Sequence, residues 1–109
     1  MTKEIFVNRE PEMTPVHPGR IIREDVLPSL GISISKAAQQ LGISRRKLQG
    51  ITSETRSITP EMAVRLGKFC GNGPGIWLRL QQAYDLWKAR SLLSDEIEKI
   101  PTWHLIREA

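Results

Sequence analysis

Residues 35–51 read S-K-A-A-Q-Q-L-G-I-S-R-R-K-L-Q-G-I, and this spacing predicts two short helices that are joined by a tight turn. Ala38 is small enough for the two helices to cross closely, and Gly42 suits a turn that needs a left-handed backbone. Ser44 is a favourable N-cap for the second helix. Two apolar residues lie four and seven positions after that cap and share one buried face, Leu48 and Ile51. The stretch therefore predicts a helix-turn-helix.

The outer face of the second helix carries side chains that suit the major groove of DNA. The N-terminal part of such a helix meets base edges. Arginine can contact guanine through two hydrogen bonds, and glutamine can contact adenine in the same way, so we favour Arg46 and Gln49 for base edges. Lys36 and Arg56 flank the helix and suit phosphate contacts. Which basic residues read bases stays open, and the candidate DNA-binding residues are Lys36, Ser44, Arg45, Arg46, Lys47, Gln49 and Arg56.

The net charge of the chain, +4, is concentrated on this motif. Residues 33–57 carry five basic side chains and one acidic side chain, which accounts for the whole excess. Charge that is concentrated in this way indicates a polyanionic partner. The alternative is an ordinary helical hairpin whose basic face is solvated and has no partner.

The remaining composition is that of a small globular protein. A chain of 109 residues is typical of one domain. It has no apolar run near the roughly 20 residues that cross a bilayer, and it begins with nothing like a signal peptide. We therefore expect no membrane contact and a cytoplasmic location, associated with the nucleoid when DNA is bound. One cysteine and two distant histidines do not make a metal site, and we expect no metal, no cofactor, no small-molecule ligand and no enzymatic activity.

Start and stop signals along the chain predict an all-α fold with five helices. The first helix begins near Pro18, and Pro28 and Gly31 mark its end. The second helix begins near residues 33–35, where Ser33 or Ser35 provides the N-cap. The third helix begins after Ser44 and is the recognition helix of the helix-turn-helix.

The fourth helix has the clearest start, because Thr59 is a good N-cap and Pro60 suits the first helical position. A glycine-rich break at residues 71–75 separates it from the fifth helix, which runs from about Ile76 to Arg90. A short turn follows at residues 94–100. The chain is thus divided into an N-terminal arm, a helix-turn-helix domain and a C-terminal extension, at residues 1–16, 17–90 and 91–109.

Four stretches of the chain resemble the HigA antitoxin family, a branch of the Xre/Cro/CI-type helix-turn-helix repressors. They lie between His17 and Arg90, a region that makes up about two thirds of the chain, and they follow the order of the family. The stretches are H-P-G-R-I-I-R-E-D at 17–25, A-x2-L-G-I-S-R at 38–45, I-T-P-E-M-A-V-R-L at 58–66 and W-L-R-L-Q-Q-A-Y-D-L-W at 77–87. Ile34 and Gly50 depart from the pattern, because relatives usually carry glutamine at the first position and a polar or basic residue at the second.

The resemblance implies a five-helix, lambda-repressor-like bundle with a short N-terminal arm and a C-terminal tail. It also implies a homodimer that binds a palindromic operator, represses its own operon and neutralises a RelE-like ribonuclease toxin. The alternatives are a stand-alone phage-type repressor without a toxin and a ligand-binding regulator or enzyme. The first would lack a toxin frame beside the gene, and the second would need a pocket with convergent polar groups.

Two further surfaces follow from these expectations. The candidate places for the toxin-binding surface are the N-terminal arm, the first helix and the exposed face of the fifth helix. Its candidate residues are Ile5, Phe6, Val7, Arg20, Arg23 and Glu24. The dimer interface is sought where the fifth helix and the tail carry more apolar side chains than a small monomer would expose. Its candidate residues are Trp87, Leu92, Leu93, Trp103, Leu105 and Ile106.

Overall fold

The computed structural model describes residues 14–103, and this part of the chain consists of helices and loops without a strand. The all-α prediction is confirmed. Helix α1 is continuous and has three segments, Pro18–Ile21, Ile22–Val26 and Leu27–Leu30. The other five helices are α2 (Ile34–Leu41), α3 (Arg45–Thr52), α4 (Pro60–Cys70), α5 (Pro74–Leu92) and α6 (Ser94–Lys99).

Side-chain caps begin the first four helices, and three of them, at Ser33, Ser44 and Thr59, are among those that the sequence predicts. The hydroxyl oxygens of Ser33, Ser44 and Thr59 accept hydrogen bonds from the amides three residues later, at 3.0, 3.0 and 3.2 Å. His17 caps α1 in the same manner, because its Nδ1 accepts from the amide of Gly19 at 2.9 Å. Burial lowers the pKa of His17, so the neutral imidazole that can accept this bond is favoured.

Pro28 lies inside α1 instead of ending it. A proline in a helix lacks its N–H and its ring clashes with the carbonyl four residues earlier, here that of Glu24. The helix avoids this clash by widening into a π-helical segment over Ile22–Val26, and the amide of Leu27 donates to the carbonyl of Ile22 five residues back. The prediction that Pro28 marks the helix end is therefore wrong. Gly31, with a φ of 65°, caps the C-terminus as predicted.

The later helices begin earlier or extend further than the sequence suggests. Helix α5 begins at Pro74, because a proline suits the first turn, and it continues to Leu92. Its N-cap, Gly73, has no side chain to accept a bond. The predicted turn at residues 94–100 is the short helix α6, which packs against α5. Among the described residues, no helix is long and apolar enough to span a membrane.

One core joins all the helices up to α5. The helix-turn-helix packs on α1 and α4, and α4 lies along α5. Trp77 is the largest residue in this core, and its Nε1 donates to the Asn72 side chain at 3.1 Å. The buried apolar residues are Ile22, Ala37, Ala38, Leu41, Leu48, Ile51, Ile58, Met62, Ala63, Leu66 and Trp77.

The N-terminus of α1 is docked directly on the C-terminal turn of α3. Gly19 is buried, and a Cβ added to it would collide with the carbonyl of Ile51. The two backbones can approach this closely only because residue 19 has no side chain. His17 lies beside this contact and packs edge-on against Tyr84 of α5, with 5.0 Å between ring centroids. The position of α3 is therefore tied to both α1 and α5.

Candidate nucleic-acid interface

Helices α2 and α3 form the predicted helix-turn-helix. Gly42 ends α2 with a φ of 74°, and the amide of Ile43 then donates to the carbonyl of Ala38 at 3.0 Å. Leu48 and Ile51 are 0% and 1% exposed, so the inner face of α3 is fully buried. The opposite face of α3 is consequently turned away from the core.

Charged and amide side chains occupy that outer face. Arg45, Arg46 and Gln49 are exposed, and Lys47 is half-buried. No ion pair joins these basic side chains to another residue within 14–103. Ser44 uses its oxygen to cap the helix, which leaves its hydroxyl hydrogen as a donor. The first turn of α3 therefore combines free positive charge with the positive end of the helix dipole.

The two flanking candidates lie on either side of this turn. Lys36 is exposed in the first turn of α2, and Arg56 is exposed in the loop after α3. Ile34, which departs from the family pattern, is half-buried and packs against the core. It therefore has a packing role that a polar residue at this position would not fill.

Two arginines cap the C-terminal ends of the helices in the helix-turn-helix. The sequence patterns do not assign either of them this structural role. Arg65 of α4 donates to the carbonyl of Leu41 at the end of α2, at 2.8 Å. Arg23 of α1 donates to the carbonyl of Thr52 at the end of α3, at 2.6 Å. Cations at helix C-termini satisfy the free carbonyls and complement the dipole. Both bonds join residues more than 20 positions apart, so no local sequence spacing predicts them.

Glu54 follows α3 in a left-handed conformation, with a φ of 68°, which is uncommon for a residue that has a side chain. Its carboxylate lies 3.4 Å from the Arg23 guanidinium, which also bonds Glu24 at 3.0 Å. The hydrogen bond from Arg23 lowers the pKa of the Glu24 carboxyl. Arg23, one of the predicted toxin-binding residues, is thus engaged with the end of α3.

The toxin-binding candidates are not all brought together. Arg20 and Glu24 line an open groove of about 540 Å³ between α1 and α5, with an apolar wall that includes Ile21 and Leu80. They also pair with each other at 3.4 Å. Arg23 is not among the residues that line this groove. Ile5, Phe6 and Val7 lie outside the described residues.

The described dimer candidates lie in the C-terminal part of α5 and in the chain that follows it. Leu92 and Trp103 are 73% and 78% exposed, and Trp87 and Leu93 are also exposed. Three apolar side chains that were not predicted join them there, Leu86, Ile97 and Ile100. Leu105 and Ile106 lie outside the described residues.

The bond from Arg23 to Thr52 generates a prediction about the recognition helix. Arg23→Ala leaves the Thr52 carbonyl without this partner, so we expect the amides of Ser53 and Glu54 to exchange hydrogen several-fold faster. Arg20→Ala is the matched control, since it removes an exposed arginine from the same helix without touching α3. Hydrogen exchange followed by NMR makes the measurement. Unchanged rates in Arg23→Ala would contradict the capping role.

Comparisons with known proteins agree with the fold and with the helix-turn-helix. No protein-family model matches the chain. Virulence-associated protein I of Dichelobacter nodosus is 40% identical over 75 residues, which is 69% of each chain. An antidote protein of a plasmid maintenance system from Nostoc punctiforme is 43% identical, with a TM-score of 0.74 over 84% of this chain and 99% of its own.

Antitoxin HigA of Pseudomonas aeruginosa, whose structure was solved with the higBA promoter, is 33% identical, with a TM-score of 0.77 over 81% of this chain and 96% of its own. Relatives of this kind are antitoxins and helix-turn-helix transcriptional regulators, not enzymes. The chain belongs to the HigA-type family of helix-turn-helix antitoxins and transcriptional regulators.

Proposed function

We propose that this protein is an antitoxin that represses its own operon by binding a palindromic operator as a dimer, and that it neutralises a RelE-like ribonuclease toxin. One observation carries the DNA-binding part. The inner face of α3 is fixed in the core, and the outer face of its first turn bears exposed basic side chains, among them Arg45 and Arg46. This pattern suits insertion of α3 into a major groove.

The residues divide into two proposed roles. Arg46 and Gln49 lie three positions apart on the exposed side of α3, and we assign them to base edges. Lys36 contacts phosphate from the adjacent helix, where it adds affinity without sequence information. Arg45, Lys47 and the Ser44 hydroxyl complete the contacts to the backbone or to bases. The P. aeruginosa relative with its promoter supports this docking by similarity.

Base reading by Arg46 and Gln49 is testable with the DNA upstream of the reading frame. We expect Arg46→Ala and Gln49→Ala each to reduce the preference for the operator over a scrambled duplex by about tenfold. Lys36→Ala is the contrasting variant, and it should weaken both duplexes and lower the slope of log K against log salt by about 0.9. Footprinting and salt titrations make the measurements. An unchanged preference in Arg46→Ala and Gln49→Ala would contradict their roles.

Dimerisation is proposed at the apolar end of α5 and α6. Seven exposed apolar side chains lie between residues 86 and 103, and burying them between two copies removes them from water. A twofold dimer would place two α3 helices about 34–36 Å apart, in successive major grooves of a palindrome.

Leu92→Glu tests this dimer, because Leu92 is 73% exposed and a charge there should not disturb the core. We expect light scattering at micromolar concentration to give a dimer for the wild type and a monomer for this variant. Leu30→Glu changes another exposed apolar residue, on α1, and should stay dimeric. A monomeric wild type would contradict the proposal.

The toxin surface is proposed at the groove between α1 and α5. Its apolar wall offers contact area, and its two carboxylates, Glu24 and Asp25, outnumber the one cation that lines it, Arg20. These features suit a basic, RNA-binding partner. The groove is lined by α1 and α5, whereas the DNA-binding residues lie on α2, α3 and the loop after α3, so one copy has a separate surface for each partner.

Ala83→Arg fills the groove with a bulky cation and tests this assignment. Co-expression with the adjacent reading frame, followed by pull-down, should capture the toxin with the wild type and lose it with Ala83→Arg. Gln82→Arg makes the same change at the neighbouring exposed position, outside the groove, and should retain capture. Full capture by Ala83→Arg would exclude the groove. Operator binding without any captured toxin would favour a stand-alone repressor.

A further inference from the structure

At Gly50 of α3, the side chain of Arg56 occupies the space that a side chain at residue 50 would need. A Cβ added to Gly50 would lie 2.7 Å from Cδ, 2.9 Å from Cγ and 3.1 Å from Nε of Arg56. Real Cβ atoms essentially never lie within 3.0 Å of such a neighbour, so the flexible side chain of Arg56 would have to shift. Any side chain at residue 50 would therefore force Arg56 to leave its place beside the helix.

The loop after α3 holds Arg56 at this place. The carbonyl of Gly50 accepts hydrogen bonds from the backbone amides of Thr55 and Arg56, at 2.9 and 3.0 Å. The hydroxyls of Thr55 and Ser53 donate to the same carbonyl, at 3.1 and 3.2 Å. The backbone of Arg56 is thus hydrogen-bonded to Gly50, the residue that the Arg56 side chain packs across.

Position 50 is on the face of α3 that carries the basic side chains. It follows Arg46 by four residues and Lys47 by three, and residues at these spacings are neighbours on a helix surface. The Nε of Arg56 lies where a side chain at residue 50 would begin. The guanidinium of Arg56 therefore adds a positive charge to the recognition face one turn beyond Arg46, and Arg56 is exposed.

We propose that Gly50 is a positioning residue for operator binding and that Arg56, seated on it, acts as part of the recognition surface of α3. This inference rests on the proposed DNA-binding function. The cost of a glycine in a helix is offset by the packing of the Arg56 stem across it.

A double-mutant cycle tests the pair with the DNA upstream of the reading frame. We expect Gly50→Ala and Arg56→Ala each to weaken operator binding by about tenfold and to lower the salt slope by about 0.9, the value for one phosphate-neutralising charge. The double variant should bind no more weakly than Arg56→Ala alone. Arg56→Lys keeps the charge and part of the stem, and should recover the salt slope.

Gly75→Ala is the matched control for the alanine substitution. It changes a helical glycine on α5 whose added Cβ would meet the guanidinium of Arg79 at 3.0 Å, and it should leave operator binding unchanged. Alanine favours the helix relative to glycine, so thermal unfolding should give Gly50→Ala a midpoint no lower than that of the wild type. If Gly50→Ala loses operator affinity but keeps its thermal stability, then Gly50 acts by positioning Arg56 and not by supporting the fold.

Two outcomes would overturn the inference, namely tight operator binding by Gly50→Ala or losses in the two single variants that multiply in the double variant. Contacts between the Gly50 Hα and Arg56 methylene protons, measured by NMR without DNA, check the packing independently. If the NMR contacts are present but the wild type binds no operator duplex in the binding assay, the proposed function fails and the packing stands. If they are absent, the positioning role fails whatever the DNA result.

Discussion

The structure depends on the burial of the inner face of α3. This helix has eight residues, and helices shorter than about 12 residues are marginal in water on their own. Leu48 and Ile51 are almost completely buried, and their packing supplies the stability that the helix cannot supply itself. Since a helix that buries one face must present the other, the same packing fixes which side chains face outward.

A local cap at the first turn and contacts from α1 at the last turn then hold the ends of that helix. Ser44 satisfies its first turn, Arg23 bonds its last turn, and the N-terminus of α1 packs against the Ile51 carbonyl at Gly19. Gln81 of α5 completes the arrangement, because its side chain is buried and accepts from the amide of Ile58 at 2.8 Å, just before α4 begins. The three hydrogen bonds satisfy backbone groups next to the core, and the close approach at Gly19 fixes α1 against the last turn of α3.

The molecule separates its surfaces by using different helices for each. Positive charge lies on α2, α3 and the loop that ends at α4, the groove lies between α1 and α5, and exposed apolar side chains lie on α5 and α6. Arg23 is the link between two of these regions, since it belongs to α1 and bonds both Glu24 and the end of α3. A partner protein on α1 and a DNA duplex on α3 would therefore bind two helices that are joined by the hydrogen bond of Arg23.

Features that depend on near neighbours along the chain could be predicted from the sequence. Caps at Ser44 and Thr59, the left-handed turn at Gly42 and the buried pair in α3 all follow from spacings of a few residues. The prediction that Pro28 helps to end α1 is wrong, because the helix accommodates this proline with a π-helical turn that local preference does not reveal. The capping of the helix-turn-helix by Arg23 and Arg65, and the position of Arg56 in the space left by Gly50, could not be predicted in this way and are seen in the folded chain. These contacts join separate elements, and their partners are chosen by packing geometry, which no periodicity along the chain encodes.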